Sequence, residues 1–210
     1  SFVFLFCFIA FGLVTRLASF TSTITDNIIL ETLLFFFVIG LVYFILNSVH
    51  AYKMTFKVEA KYGFNTRSKQ LFFKDLVKRA FIGTIISGLL ISLIVFLYEY
   101  TGSQFVIIAF FVMSVMMILI NLLYIKIIIP LFNTLTPLED GILKDKIYAF
   151  MNTHDYQIKH LYVMDASKRS KKLNAFFSGF FKTKTIVLFD TLIEALDDDE
   201  IVAVLAHEIA

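Results

Sequence analysis

His207 and Glu208 stand side by side near the end of the run Ala195-Leu-Asp-Asp-Asp-Glu-Ile-Val-Ala-Val-Leu-Ala-His-Glu-Ile-Ala210. On a helix, a zinc protease uses the pattern H-E-x-x-H. Histidines four apart share one face and one Zn2+ ion, and the glutamate beside the first reaches the attacking water. The second histidine would fall one position after Ala210, so the motif is expected to be interrupted here. Alone, the pair is two common residues, compatible with a surface or hydrogen-bonded histidine as well as with a ligand. The setting favours the ligand, because Ile201, Val204 and Leu205 give the helix an apolar side and a buried face suits a site that fixes its ligands and excludes water.

Other candidate chemistries are weaker. His50, His154 and His160 have no paired spacing with one another or with acidic residues, and Ser167 and Ser170 lie in a basic stretch without a glycine-flanked elbow. The one cysteine, Cys7, sits in an apolar run, which excludes an internal disulfide and a cysteine metal cluster. A net charge of +2 with no Lys/Arg block interleaved with aromatics argues against a nucleic-acid partner.

The elements that must position His207 and Glu208 can be read upstream. Asp197 with Glu200 three residues later is a capping-box signal, and it predicts a helix from Asp198 through the last residue. After Pro130 the composition is that of an α/β segment. Leu138–Asn152 has helical spacing, while Ile158–Met164, Leu173–Phe177 and Thr185–Phe189 read as strands, the last two joined by a hairpin connection over Ser178–Lys184. If Leu173–Phe177 is an edge strand, a peptide can add to it, with Asn174 bonding a substrate carbonyl, the small Ala175 allowing close approach and Phe176 in the same contact. It also reads as an ordinary core strand with Phe176 or Phe177 packed inside.

The first two thirds of the chain are of another kind. The apolar fraction is 59%, above the roughly 45–50% of soluble domains, and the charges are clumped between apolar runs. Four runs stand out, Phe2–Val14, Ile28–Leu46, Ala80–Leu97 and Phe105–Ile129, the last three each near or above the ~20 residues that span a bilayer. The first reads as a span entered partway, and both ends of the sequence read as cut. Lys53, Lys57, Lys61, Arg67, Lys69, Lys74, Lys78 and Arg79 fall in a 48–79 loop, whereas Thr15–Asn27 has only Arg16, so the positive-inside tendency puts the 48–79 loop and everything after Pro130 in the cytoplasm. Glu31 and Asn121 are polar residues within runs. Each faces a bundle interior or cavity, or else Glu31 lies at the interface and Asn121 bonds a neighbouring helix. The expected division is a membrane-helix region over 1–134 and an α/β domain over 135–210. Broken helices or paired repeats, which a transporter would need, are not evident.

Several motifs occur in an order that resembles the type I CAAX prenyl proteases: Glu59-Ala-Lys-Tyr-Gly-Phe-Asn65, Pro130-Leu-Phe-Asn133, Tyr162-Val-Met-Asp-Ala-Ser-Lys-Arg-Ser170, Asn174-Ala-Phe-Phe177, Ile186-Val-Leu-Phe-Asp-Thr-Leu192 and Ala203-Val-Leu-Ala-His-Glu208. The resemblance implies a multi-pass helical membrane bundle followed by the start of a zincin-like α/β metalloprotease domain. It also implies a zinc endopeptidase acting on peptide or protein substrates in the lipid bilayer, with its site at the wall of a helix-enclosed chamber. His207 would be the first zinc ligand and Glu208 the general base, with a second His and a further Glu ligand beyond Ala210, so the 210-residue chain alone is expected to be inactive. Lys171-Lys172-Leu173 before the Asn-Ala-Phe-Phe motif resembles the bacterial branch, which implies an inner-membrane enzyme that processes membrane-associated proteins in place of prenylated ones. The competing reading is a noncatalytic scaffold or peptide-binding protein of the same fold.

Overall fold

The computed structural model describes residues 11–178 and 183–209. Most of the first apolar run, Cys7 included, and the tip of the proposed hairpin, residues 179–182, lie outside the described residues. Two compact units result, one formed by residues 1–54 and 70–114, the other by 55–69 and 115–210.

The first unit is helical. Helix α1 (Leu13–Ser22) occupies much of the stretch read as the loop Thr15–Asn27, since nothing between Leu13 and Ser22 breaks a helix. Asn27 then caps α2 (Ile28–Lys53), its side-chain oxygen accepting from the amides of Ile29 and Leu30 at 3.0 and 3.1 Å. Glu31 therefore sits in the first turn of α2, where the helix dipole favours a carboxylate. Helix α3 (Lys69–Thr101) packs near the end of α2 through Tyr52, whose ring meets that of Phe72 edge-on at 5.7 Å. At Gly102 the backbone takes φ 51°, and after a 3-10 turn α4 (Phe105–Leu123) begins.

The connection between α2 and α3 is shorter than the 48–79 loop read from its charges. Helical structure continues from α2 through a π-helical turn, Met54–Glu59, and α3 already starts at Lys69. Lysine and arginine are good helix formers, so basic residues mark the water boundary without ending the helix. Gly63, at φ 75°, supplies the left-handed residue that ends it.

Two helical stretches, Ile28–Glu59 and Lys69–Phe132, are long and apolar enough to cross a membrane, and in neither is any residue of the most apolar window buried. A core helix of a soluble domain would bury that window. Exposed Phe36, Phe37, Leu41 and Ile45 on α2 and Val106, Ile107, Phe110 and Phe111 on α4 need an apolar solvent instead.

In the second unit, α4 passes into a π turn (Tyr124–Ile128) and the short α5 (Ile129–Phe132). A four-stranded sheet follows, in the order β1-β2-β4-β3: β1 (Leu135–Pro137), β2 (Gln157–Met164), β3 (Ala175–Ser178) and β4 (Thr183–Phe189). β2 and β4 are parallel, while β1 on β2 and β3 on β4 are antiparallel. Three helices complete the unit, α6 (Ile142–Thr153), α7 (Asp190–Ala195) and α8 (Asp198–Ile209). β4 shows the period-two logic of a strand covered on both faces. Ile186 and Leu188 enter a core with Ile147 and Met151 of α6, Ala175 of β3 and Ile201 and Leu205 of α8, whereas Val187 enters a second core with Ile125, Ile129 and Met164. Helix α6 begins later than the predicted Leu138, because β1 and its turn take those residues first.

Candidate active site

Helix α8 starts with the capping box its sequence predicts. The Asp197 side chain accepts from the amides of Asp199 and Glu200 at 3.0 and 2.9 Å, and Glu200 returns the bond by accepting from the Asp197 amide at 3.0 Å. Asp199 also receives Lys146 of α6 at 2.7 Å. With the start fixed, Ile201 and Leu205 bury completely against the sheet, and α8 lies on α6 and β3. His207 and Glu208 follow in its last turn, both exposed.

Among the described residues, no group of three or more His, Cys, Asp or Glu side chains converges as a metal site. The donors that are present fit a cation: an imidazole and a carboxylate stand side by side on α8, both exposed. His154 and His160 have other uses. The first bonds the Phe150 carbonyl at 3.0 Å, and the second stacks on Tyr162 at 5.5 Å. Ser167 donates both its amide and its hydroxyl to the Asp190 carboxylate, an anchoring role.

β3 is an edge of the described sheet. The Phe189 amide donates to the Asn174 carbonyl at 3.1 Å, and an antiparallel ladder alternates. In the observed register the main-chain groups of Phe176 and Ser178 therefore turn toward β4, and those of Ala175 and Phe177 toward the open edge. The Asn174 side chain is exposed. Ala175 is 2% exposed, its methyl against the α8 side of the core, so what it offers at the edge is main chain. Phe176 packs on the second core, with its ring edge-on to Phe189 at 6.4 Å, and Phe177 packs on the first.

Residues of α4 and its π turn, a part that sequence reasoning touched only at Asn121, share a cavity with β3. Met117, Ile118, Asn121 and Tyr124 line a cavity of about 500 Å³ together with Phe176, Phe177 and Ser178. The other feature that the sequence did not reveal is the loop 165–172 as a junction. Phe64 accepts from the Lys171 amide at 2.9 Å, the Thr66 hydroxyl donates to the Ser167 carbonyl at 2.6 Å, and Lys172 pairs with Glu59. Arg169 reaches Asn133 at 2.8 Å, Asp165 accepts from the Thr134 amide at 2.7 Å, and Thr191 donates to the Lys172 carbonyl at 2.9 Å. Four of the sequence motifs meet there, and their bonds run between residues 19 to 113 positions apart, which no local pattern could expose.

Apolar helices of membrane length, joined to an α/β unit whose last helix carries His-Glu beside a sheet edge, define an integral multi-pass membrane protein with the opening elements of a metallopeptidase domain. The comparisons with known proteins agree: residues 1–134 match the CAAX prenyl protease N-terminal region, described as five membrane helices, and residues 137–210 match peptidase family M48. The chain belongs to the CAAX prenyl protease group of peptidase family M48. It is 38% identical over 156 residues to a CAAX prenyl protease 1 homolog of Arabidopsis thaliana, covering 74% of this chain and 37% of that protein. The CAAX prenyl protease 1 homolog of Homo sapiens is 39% identical over 140 residues, covering 67% of this chain and 30% of that one. The crystal structure of S. mikatae Ste24p superimposes with a TM-score of 0.87 at 31% identity, over 97% of this chain and 49% of that chain. This chain thus spans about half or less of the length of these relatives, all of which are eukaryotic. Membership in a metallopeptidase family implies a metal cofactor.

Proposed function

We propose that the protein is a membrane-embedded zinc metalloendopeptidase that cleaves peptide bonds in membrane-associated proteins or peptides, with CAAX-type processing as the activity its relatives' names suggest. The observation that carries this reading is the position of His207-Glu208 on α8, which itself lies on the edge strand β3. His207 would hold the metal through its imidazole, with a second histidine and a glutamate following Ala210 as further donors. When bound, zinc would supply Lewis-acid polarisation of the scissile carbonyl and an acidified water.

The residues of this chain would do the rest. Glu208 accepts the proton of the attacking water and returns it to the leaving amine. Ala175 and Phe177 offer outward main-chain groups on β3 for an extended substrate, so the peptide is held largely without regard to its side chains, and Asn174 adds a side-chain amide beside them. Membership in a metallopeptidase family weighs against a noncatalytic scaffold. The catalytic segment is proposed to face the cytoplasm, in the inner membrane if the source is bacterial.

The test is zinc analysis and peptide hydrolysis by the full-length protein. One zinc per chain and metal-dependent cleavage are expected. A full-length protein with neither, or a gene without histidine four positions after His207, overturns the reading.

A further inference from the structure

Asn121 is a carboxamide in the last turn of the apolar helix α4, just before the π turn. It stands between Ile120 and Leu122 on α4, one turn before Tyr124, and both line the cavity that faces Phe176, Phe177 and Ser178 of β3. The Asn121 carboxamide and the Tyr124 and Ser178 hydroxyls make no hydrogen bond with one another or with any other described residue. A polar group at membrane depth is expensive unless it is satisfied, and such residues face a cavity or a pathway. The Asn121 carboxamide and two hydroxyls around one cavity fit a polar occupant, and the remaining lining, Met117, Ile118, Phe176 and Phe177, fits one with apolar side chains.

A carboxamide carries one acceptor oxygen and an NH2 donor, the same pair that a peptide group presents. At about 500 Å³ the cavity is within the usual range for ligand sites, and its lining includes Phe177, whose main-chain groups turn toward the outer edge of β3. An extended peptide paired with β3 has one edge satisfied by that strand and a second edge still bare.

We propose that Asn121, assisted by Tyr124, grips that second edge: the substrate peptide is clamped between the β3 ladder and a carboxamide from the membrane helix α4. Asn121 is a positioning residue in this account, bonding a substrate peptide group that β3 leaves free. The inference rests on the peptidase reading above and adds to it a residue of the membrane helices that no metal-site motif contains. The clamp also explains how an edge strand of four residues, with only two outward-facing positions, can orient a chain.

The test uses the full-length protein carrying Glu208→Gln, so that bound peptide is not consumed. The probe is a fluorescein-labelled peptide ending in cysteine, two aliphatic residues and alanine, together with its derivatives N-methylated at one backbone position in turn. Asn121→Leu is expected to weaken binding about tenfold, the equivalent of one hydrogen bond, with zinc content unchanged. Asn121→Gln should recover part of the loss, and Tyr124→Phe, which removes only a hydroxyl, should weaken binding less than Asn121→Leu. One N-methyl position should cost the protein that retains Asn121 about tenfold and the Asn121→Leu variant nothing further, the signature of a direct contact. Equal affinity with and without the Asn121→Leu substitution, or an N-methyl penalty that is the same in both proteins at every position, overturns the clamp and leaves the peptidase reading standing. Failure of the protein that retains Asn121 to bind any of these peptides overturns both.

Discussion

Glu208 and His207 are neighbours in sequence, and the duties proposed for them are separable by substitution. In the full-length protein Glu208→Gln keeps the imidazole and therefore the metal, but an amide cannot take a proton from water. Hydrolysis should fall about 10²–10⁴-fold at unchanged zinc content, as read by metal analysis and peptide turnover. His207→Ala should lose both zinc and activity, and full turnover in the Gln variant would remove Glu208 from the mechanism. The 210-residue chain by itself, with one of the proposed donors, should lose zinc on dialysis, since tetrahedral sites use three or four protein ligands. A second residue-scale prediction concerns Asp165. Burial pushes its carboxyl upward, but the Lys168 ammonium and the Thr134 amide and hydroxyl outweigh burial and hold it below the usual carboxylate range. A lowered folded value means that the stabilisation is fully present above the unfolded pKa of about 3.9 and is lost as pH falls through the folded value. Asp165→Asn should therefore lower the thermal midpoint of the full-length protein at neutral pH, and the gap to wild type should close below about pH 4. A gap that persists unchanged in acid would remove the carboxylate charge from the explanation.

β3 shows how an element can be legible in type and still hide its working parts. Proline at 175 and proline at 176 each remove one amide, but the ladder assigns those amides to different partners. Ala175 donates outward, so Ala175→Pro should spare folding and zinc while raising KM or abolishing cleavage. Phe176 donates toward β4, so Phe176→Pro should break the sheet and lower the thermal midpoint before any question of substrate arises. Equal, normal kinetics from a folded, zinc-loaded Ala175→Pro protein would end the strand-addition idea. The strands themselves were readable: alternation in Ile158–Met164 and the apolar run to Phe189 lie within β2 and β4, and Asp197 with Glu200 announced the start of α8. β1 was not, since three residues including Pro137 carry no period and pair only because Leu138 and Met164 are held nearby. Nor is α1, because the apolar run stops at Val14 while helical structure continues through Arg16 and Leu17 to Ser22. The partners of Ser167, Arg169 and Lys172 were invisible for a different reason: hydrogen bonds over dozens of residues leave no spacing to read.

At the scale of the whole chain, those same bonds constrain topology. The segment 55–69 precedes the long helical stretch Lys69–Phe132, and the loop 165–172 comes after it, yet the Lys171 amide bonds Phe64 at 2.9 Å and the Thr66 hydroxyl bonds the Ser167 carbonyl at 2.6 Å. Groups in hydrogen-bond contact lie on one side of a bilayer, so the 64-residue stretch between them must cross an even number of times. Two crossings suit its construction: α3 and α4 are each about a bilayer in length or more, and the turn at Gly102–Gln104 between them carries no basic residue. The basic residues gather at the other ends, with Lys53, Lys57, Lys61, Arg67, Lys69, Lys74, Lys78 and Arg79 before the first crossing and Lys126 at the close of the second. Translocating the first group would work against the positive-inside bias, which supports a cytoplasmic location for both the 55–69 segment and the α/β unit that holds His207 and Glu208. Reporter fusions to the full-length protein at Lys69 and at Asp155, the latter in the turn between α6 and β2, should both give cytoplasmic signals. A non-cytoplasmic signal at both sites would invert the orientation and keep the shared side. Opposite signals at the two sites would contradict the hydrogen bonds between Phe64, Thr66 and the 165–172 loop, and with them the junction on which the arrangement of the site depends.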